Sequence, residues 1–162
     1  MRVLLIDDHA LFRSGLEGLL ERRGIEVVAQ AADGREGIRL ALDIKPDIIL
    51  LDLRMPEIGG LETLKRLSAQ GCDVPMVMLT TSSDESDLVE SLRNGARGYL
   101  LKDMEPDDLV VALRAIVAGE TVIAPRLTST LANVVKGGDL NKDKSAETPF
   151  DALTPVSYTN LR

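Results

Sequence analysis

The fold is decided by residues 46–60, which read Pro46-Asp47-Ile48-Ile49-Leu50-Leu51-Asp52-Leu53-Arg54-Met55-Pro56-Glu57-Ile58-Gly59-Gly60. The apolar residues 48–51 lie between turn-forming residues on both sides, which predicts a short strand buried on both faces. This strand ends in Asp52. Because ligands of open α/β sheets bind at the carboxyl edge, Asp52 is either a solvated strand end or a carboxylate paired with a cation that does chemistry there.

Four further apolar runs predict strands, and apolar residues at helical spacing fill the intervals between them. The predicted strands are residues 3–6, 27–29, 48–51, 74–79 and 99–101. Five strands that alternate with five helices predict an α/β fold with a parallel sheet covered on both faces. A flavodoxin-like, doubly wound sheet of order 2-1-3-4-5 would place its topological switch between the first and third strands.

The same pattern divides the chain into parts. The alternating strands and helices occupy residues 1–118, which we expect to form one domain. Beyond Gly119 the periodicity fades, and a polar, glycine-bearing stretch predicts a linker over residues 119–150 that is partly helical. Residues 151–162 form a short separate tail.

Composition narrows the classes of function. The net charge of −7 and the absence of tryptophan disfavour a chain that binds a phosphate backbone or stacks on bases by itself. Cys72 is the only cysteine, which excludes an internal disulfide and a thiolate metal cluster. No apolar run approaches the roughly 20 residues of a membrane span, and the N-terminus lacks the layout of a signal peptide. We therefore expect a cytoplasmic protein that does not contact a membrane.

Charged and polar residues follow the predicted strands at their carboxyl ends. Asp7 and Asp8 follow the first strand, Asp52 the third, Thr80 the fourth and Lys102 the fifth. In the predicted strand order the three carboxylates converge, and they repel one another unless a cation lies between them. Oxygen ligands suit Mg²⁺, so the sequence predicts a magnesium site at this edge.

These residues also suit phosphoryl transfer. With Mg²⁺ beside it, Asp52 can act as a nucleophile and form an aspartyl-phosphate. Lys102 would meet the phosphoryl oxygens as a point charge, and Thr80 would meet them as a hydrogen-bond donor. We therefore predict that Asp52 is reversibly phosphorylated. The domain would be a phosphoacceptor switch, able at most to dephosphorylate itself, rather than an enzyme.

Together these motifs resemble the receiver domain of two-component response regulators over about residues 1–118. Their details are most similar to the NarL/FixJ subfamily, whose members usually carry a helix-turn-helix DNA-binding domain of the LuxR type. The motifs that carry the resemblance are Asp7-Asp8-His9, Leu11-Phe12-Arg13, Met55-Pro56, Gly59-Gly60, Thr80 and Gly98-Tyr99-Leu100-Leu101-Lys102-Asp103.

The resemblance implies a role for each matching residue of the acidic edge. Asp52 matches the phosphoacceptor, and Asp8 and Asp52 match direct ligands of Mg²⁺. Asp7 matches a carboxylate that holds the metal through water. The backbone carbonyl of Arg54 would complete the protein ligands.

The resemblance also implies a switch and its partners. Thr80 and Lys102 match the pair that contacts the phosphate. Tyr99 matches an aromatic side chain that changes rotamer when Thr80 is drawn toward the phosphoryl group, which is a population shift between two packings. The implied phosphoryl donor is a histidine kinase, and receivers of this kind often form homodimers on phosphorylation.

The tail at Ala152-Leu153-Thr154-Pro155 resembles the beginning of a LuxR-type helix-turn-helix domain, where a Leu-Thr-Pro sequence commonly caps the first helix. Residues 156–162 do not continue as that domain does and leave no recognition helix. The resemblance therefore implies a regulator of transcription with a truncated output domain, and residues 151–162 are either a remnant of that domain or a non-native tail. DNA would be bound only through the missing domain.

Other functions fit fewer residues. An aspartate-nucleophile phosphohydrolase of the haloacid-dehalogenase type places an acid two residues after the nucleophile, where this chain has Arg54. A flavodoxin-like FMN carrier needs a loop after the first strand that donates hydrogen bonds to the phosphate of FMN. This chain instead has the negative charges of Asp7 and Asp8 there. A stand-alone receiver that acts through protein contacts remains the alternative. We interpret His9, a single imidazole at a helix start, as solvent-facing and outside the site.

Overall fold

A computed structural model of the chain describes residues 1–129 and residue 132. Strands and helices alternate along it, as the apolar runs and helical spacings predict. The elements are β1 (Arg2–Ile6), α1 (Ala10–Arg22), β2 (Glu26–Ala31), α2 (Gly34–Ile44), β3 (Ile48–Leu51), α3 (Gly60–Ala69), β4 (Met76–Thr80), α4 (Glu85–Arg93), β5 (Gly98–Leu101), α5 (Pro106–Val117) and β6 (Val122–Ile123). One turn of 3-10 helix, Pro125–Leu127, follows β6.

The strands form one parallel sheet, whose order in the described part of the chain is β2-β1-β3-β4-β5-β6. The predicted α/β fold with a parallel sheet and five α-helices is confirmed. The predicted number of five strands is wrong, because β6 adds a sixth strand beside β5 and extends the predicted order at that end. The central strands are buried on both faces, which explains why they appear in the sequence as continuous apolar runs and could be predicted.

The sixth strand forms because the chain reverses after α5 and returns along the edge of β5. Gly119, just past the end of α5, has a φ of +108°, a conformation that favours glycine. The two residues of β6 then pair with Gly98 and Tyr99, and the amide of Ala124 donates to the Tyr99 carbonyl at 2.9 Å. A strand of two residues is too short to show an alternating pattern in the sequence. It nevertheless covers backbone groups of β5 that a bare sheet edge would leave unpaired.

The hydrophobic core lies on both faces of the sheet, and β3 shows why. Ile49 and Leu51 pack in the cluster that includes residues of α2, α3 and α4, whereas Ile48 and Leu50 pack in the cluster with α1 and α5. All four side chains are at most 2% exposed. Burying a side chain of this size contributes about 1.5–3 kcal/mol relative to leaving it in water, which anchors the strand that carries Asp52.

Two of the predicted segments extend beyond the described residues. The linker predicted over residues 119–150 is described only up to residue 129 and at residue 132, and the predicted remnant at residues 151–162 is not described. The domain boundaries therefore stay predictions. Within the described ranges, every helix is too short or too polar to cross a membrane.

Candidate functional site

The carboxyl ends of β1, β3, β4 and β5 lie side by side, so the residues that follow them share one edge of the sheet. At the switch between β1 and β3, the amide of Asp52 donates to the Ile6 carbonyl at 2.9 Å. The amide of Lys102 likewise donates to the Thr80 carbonyl at 2.9 Å. The backbone therefore brings together the predicted site residues Asp7, Asp8, Asp52, Thr80 and Lys102.

Asp52 is almost completely enclosed, with 3% of its surface exposed. Burial raises the pKa of its carboxyl and the nearby Asp7 raises it further, whereas the positive charge of Lys102 lowers the pKa and offsets part of this rise. Lys102 Nζ lies 3.4 Å from Asp52 Oδ2 and 2.7 Å from Asp7 Oδ2. Lys102, whose side chain is largely but not fully buried, thus neutralises two carboxylates and pairs more closely with Asp7.

Both carboxylate oxygens of Asp7 are already engaged by the protein. Oδ2 pairs with Lys102, while Oδ1 accepts a hydrogen bond from the His9 amide at 2.8 Å and lies 2.9 Å from His9 Nδ1. The Asp7 carbonyl accepts from the guanidinium of Arg13. A carboxylate in this state suits contact with a metal through water, because Mg²⁺ usually keeps several of its waters.

Two other carboxylate oxygens at this edge, Asp8 Oδ1 and Asp52 Oδ2, are buried without a hydrogen-bond partner among the described residues. Unpaired buried acceptors are costly, above all when they are charged. Asp7, Asp8, His9 and Asp52 each offer one ligand atom within 4.8 Å of the others. The orphaned oxygens are the hard ligands that Mg²⁺ prefers, so the residues fit an ion held directly by Asp8 and Asp52.

The two residues of the predicted switch are fully buried behind the acidic edge. Thr80 Oγ1 accepts a hydrogen bond from the Ser82 amide at 3.2 Å. The Tyr99 hydroxyl donates to the Ser82 carbonyl at 3.1 Å, and burial raises the pKa of this phenol. Ser82 therefore joins Thr80 to Tyr99 through its own backbone, a link that sequence reasoning missed because it depends on the path of the loop after β4.

The side chain of Arg54 pairs with α4 rather than with the carboxylates of the site. Its guanidinium lies 2.6 Å from Asp87 Oδ2, and the same oxygen accepts a hydrogen bond from the Ser82 hydroxyl at 2.6 Å. Asp87 lies in the first turn of α4, where the helix dipole favours a negative charge. The loop after β3 is thus joined to the loop before α4. The metal role of the Arg54 backbone carbonyl stays a prediction.

Two side chains outside the predicted site also lie at this edge. The side chain of His9 is 62% exposed, in line with our interpretation, yet its Nδ1 lies 3.3 Å from Asp8 Oδ1 and 3.7 Å from Asp52 Oδ2. The ring centroid of Phe12 lies 4.4 Å from Lys102 Nζ in a cation–π contact. The one signal in the sequence for both is their closeness to Asp7 and Asp8, since His9 follows Asp8 directly and Phe12 lies in the first turn of α1.

The family profile described as the response regulator receiver domain matches residues 3–114. The chain belongs to the response regulator receiver domain family. This receiver domain is 47% identical to the nitrate/nitrite response regulator protein NarL of Escherichia coli K12 over 154 residues, which span 94% of this chain and 69% of that protein.

Two further similar proteins indicate which subfamily of response regulators this receiver domain resembles. It is 38% identical to the transcriptional regulatory protein LnrK of Bacillus subtilis, over 82% of this chain and 61% of that protein. The crystal structure of a two-component response regulator of the LuxR family from Aurantimonas matches with a TM-score of 0.79 and 34% identity, over 83% of this chain and 97% of that one. The resemblance to a NarL-type, LuxR-family response regulator is therefore confirmed.

Proposed function

We propose that Asp52 accepts a phosphoryl group from a histidine kinase with Mg²⁺ bound beside it. The observation that carries this proposal is the buried Asp52 carboxylate. Its Oδ2 accepts no hydrogen bond, lies 3.4 Å from Lys102 Nζ and shares the edge with an oxygen of Asp8 that also accepts no hydrogen bond. We also propose that phosphorylation controls transcription through a DNA-binding output domain. The names of the relatives, a response regulator and a transcriptional regulatory protein, support this second part.

The groups of the chain account for each part of the transfer. One oxygen of Asp52 forms a bond to phosphorus while the bond from phosphorus to the donor's histidine nitrogen breaks, and the electron pair leaves with that nitrogen. Mg²⁺ would supply positive charge beside Asp8, Asp52 and the incoming phosphoryl oxygens. Lys102, held at 2.7 Å by Asp7, is near enough to Asp52 to pair with those oxygens as a point charge.

The same arrangement suggests how the event reaches the rest of the domain. The hydroxyl of Thr80 now accepts from the Ser82 amide, and a phosphoryl group on Asp52 is a stronger, charged acceptor for that hydroxyl. If Thr80 moves to it, the Ser82 contact breaks and the loop that also holds the Tyr99 hydroxyl is released. The result is a population shift between two packings. We propose a phosphoacceptor switch of this kind, without enzymatic turnover of a separate substrate.

Intact mass spectrometry tests the proposal directly. The protein is incubated with Mg²⁺ and acetyl phosphate beside two variants, Asp52→Ala and Asp43→Ala, the second of which removes an exposed carboxylate of α2. We expect one metal-dependent phosphoryl adduct in the wild type and in Asp43→Ala, and none in Asp52→Ala. An adduct that persists in Asp52→Ala, or none in the wild type with any divalent metal, would overturn the assignment.

A further inference from the structure

His9 is the one side chain with a nitrogen ligand atom in the acidic cluster of Asp7, Asp8, His9 and Asp52. We propose that His9 Nδ1 is an additional protein ligand of the ion held by Asp8 and Asp52. This edge of the sheet then binds the borderline ions Zn²⁺ and Co²⁺ as well as Mg²⁺. The inference rests on the proposed function only in placing the metal at Asp8 and Asp52.

The distances around His9 match those between ligands of a single ion. An ion about 2.1 Å from each ligand atom separates neighbouring ligand atoms by about 3.0 Å at a right angle and about 3.4 Å at a tetrahedral angle. His9 Nδ1 lies 3.3 Å from Asp8 Oδ1 and 3.7 Å from Asp52 Oδ2. Those two atoms are the buried oxygens that lack a hydrogen-bond partner in the described structure. Both separations from His9 Nδ1 are therefore close to those between ligands of one ion, and one ligand atom of each residue lies within 4.8 Å of the others.

The imidazole can turn to a metal without leaving Asp7 unpaired. Asp7 Oδ1, which lies 2.9 Å from His9 Nδ1, also accepts from the His9 backbone amide at 2.8 Å. The other oxygen of Asp7 pairs with Lys102 at 2.7 Å. Because the His9 side chain is 62% exposed, its ring can rotate without disturbing the core.

The helix does not explain a histidine at this position. His9 is the N-cap of α1, where serine, threonine, aspartate and asparagine are preferred because their side chains accept a hydrogen bond from the first turn. The His9 side chain makes no such bond. Its polar contacts are with the carboxylates of Asp7, Asp8 and Asp52 instead.

A nitrogen ligand changes which ions the site favours. Imidazole suits Zn²⁺ and other borderline ions, whereas carboxylate, carbonyl and water suit Mg²⁺. Loss of His9 should therefore weaken Zn²⁺ and Co²⁺ binding by about tenfold or more, which corresponds to about 1.4 kcal/mol. The affinity for Mg²⁺, which depends on the oxygen ligands, should change by less than about twofold.

His9 is the only histidine of the chain, so its ring resonances in an NMR spectrum are identified without any substitution. We expect one equivalent of Zn²⁺ to shift these resonances in the wild-type protein, and Co²⁺ to broaden or shift them strongly. Zn²⁺ that binds at one equivalent and leaves the His9 resonances unchanged would overturn the inference. This measurement needs no variant and is independent of any loss of folding.

Calorimetric titrations with Mg²⁺, Zn²⁺ and Co²⁺ then compare the wild type with His9→Gln. Leu11→Ala is the matched control, because Leu11 lies in the same helical turn with 90% of its surface exposed. We expect His9→Gln to lose Zn²⁺ and Co²⁺ affinity selectively and Leu11→Ala to lose neither. Equal losses for Mg²⁺ and Zn²⁺ in His9→Gln, or no loss at all, would contradict the role of His9.

The two proposals fail in distinguishable ways. A wild-type protein that shows the Zn²⁺ shift at His9 but no Mg²⁺-dependent phosphoryl adduct would refute the phosphoacceptor and keep the ligand. A protein that forms the adduct while His9 is indifferent to Zn²⁺ would refute the ligand and keep the phosphoacceptor.

Discussion

Asp52 carries an electrostatic cost in the metal-free protein, because its carboxylate is buried beside Asp7 and only partly compensated by Lys102. Its pKa is raised in the folded state, so folding takes up a proton between the ordinary pKa of an aspartate and the raised one. The contribution of Asp52 to stability is therefore most favourable at acidic pH. As the pH rises through this window, the ionisation of Asp52 lowers the free energy of unfolding. The destabilisation reaches its full size above the raised pKa.

Replacing Asp52 by asparagine removes this cost while keeping the shape of the side chain. We expect Asp52→Asn to raise the free energy of unfolding at neutral pH by roughly 1 kcal/mol, an ordinary size for a single substitution. The gain should shrink as the pH falls below the window in which Asp52 titrates. Urea unfolding in the presence of a chelator at several pH values measures it. A gain that is the same at every pH would show that packing, not charge, is responsible.

Single residues differ in how far the sequence reveals them. Asp7, Asp52 and Lys102 could be predicted because each stands at the end of an apolar run, and parallel strands bring such ends to one edge. The contacts of His9 and Ser82 could not, because they depend on the conformation of turns that no periodic pattern encodes. The contact of Lys102 with a third neighbour, the ring of Phe12, could not be predicted either, because it joins α1 to the residue after β5.

At the scale of elements, α3 packs so closely on the end of β3 that its first residue must be glycine. A Cβ on Gly60 would collide with the carbonyl oxygen of Asp52 and would lie 2.8 Å from the Cα of Leu53. The pair Gly59-Gly60 therefore permits a close approach of two backbones, and this approach positions Asp52, the proposed phosphoacceptor.

Adding that methyl group should disturb both the fold and the site. We expect Gly60→Ala to lower the free energy of unfolding by about 1–3 kcal/mol, the usual cost of overpacking, and to slow phosphorylation by acetyl phosphate. Gly15→Ala is the control, since a Cβ at Gly15 in α1 meets nothing within 4 Å. That change should stabilise the protein by roughly 0.5–1 kcal/mol through helix propensity. Similar melting temperatures for the two variants would disprove the close contact.

The pairing of Arg54 with Asp87 joins the loop after β3 to the first turn of α4, and Asp87 also accepts a hydrogen bond from the hydroxyl of Ser82 in the loop before α4. Because Ser82 in turn binds Thr80, the substitution Asp87→Ala should favour the rearranged loop. We expect phosphorylation by acetyl phosphate to become roughly threefold to tenfold faster, equivalent to about 0.7–1.4 kcal/mol. Glu62→Ala, which breaks an exposed pair with Arg66, should not change the rate. A lower melting temperature with an unchanged rate would show that Asp87 only stabilises the first turn of α4.

Most helices and strands could be predicted from the sequence, but some of their first and last residues differ from the prediction. The apolar run from Val74 predicts a strand that includes Pro75, yet β4 begins at Met76. Proline has no amide hydrogen to donate, and Pro75 joins the sheet only through its carbonyl, which accepts from Ile49 at 3.0 Å. Local composition therefore locates a strand, while hydrogen bonding to the neighbouring strand sets its first residue.

At the scale of the whole molecule, the position of β6 bears on where the domain ends. The sequence predicts a domain over residues 1–118, but β6 and the 3-10 turn lie beyond that point, and Leu127 is buried in the core. We expect a chain of residues 1–118 to unfold at lower urea concentration than a chain of residues 1–129, because it exposes the edge of β5. Equal midpoints would mean that the shorter boundary is sufficient.

The attachment of β6 has a mechanical consequence. The amide of Ala124 donates a hydrogen bond to the carbonyl of Tyr99, and the hydroxyl of Tyr99 donates to the carbonyl of Ser82 in the loop after β4. Tyr99 therefore contacts both the segment after β6 and that loop. A displacement of β5 at Tyr99 would pass to Ala124 through this hydrogen bond. We therefore expect residues 122–124 to move together with the strand that carries Tyr99.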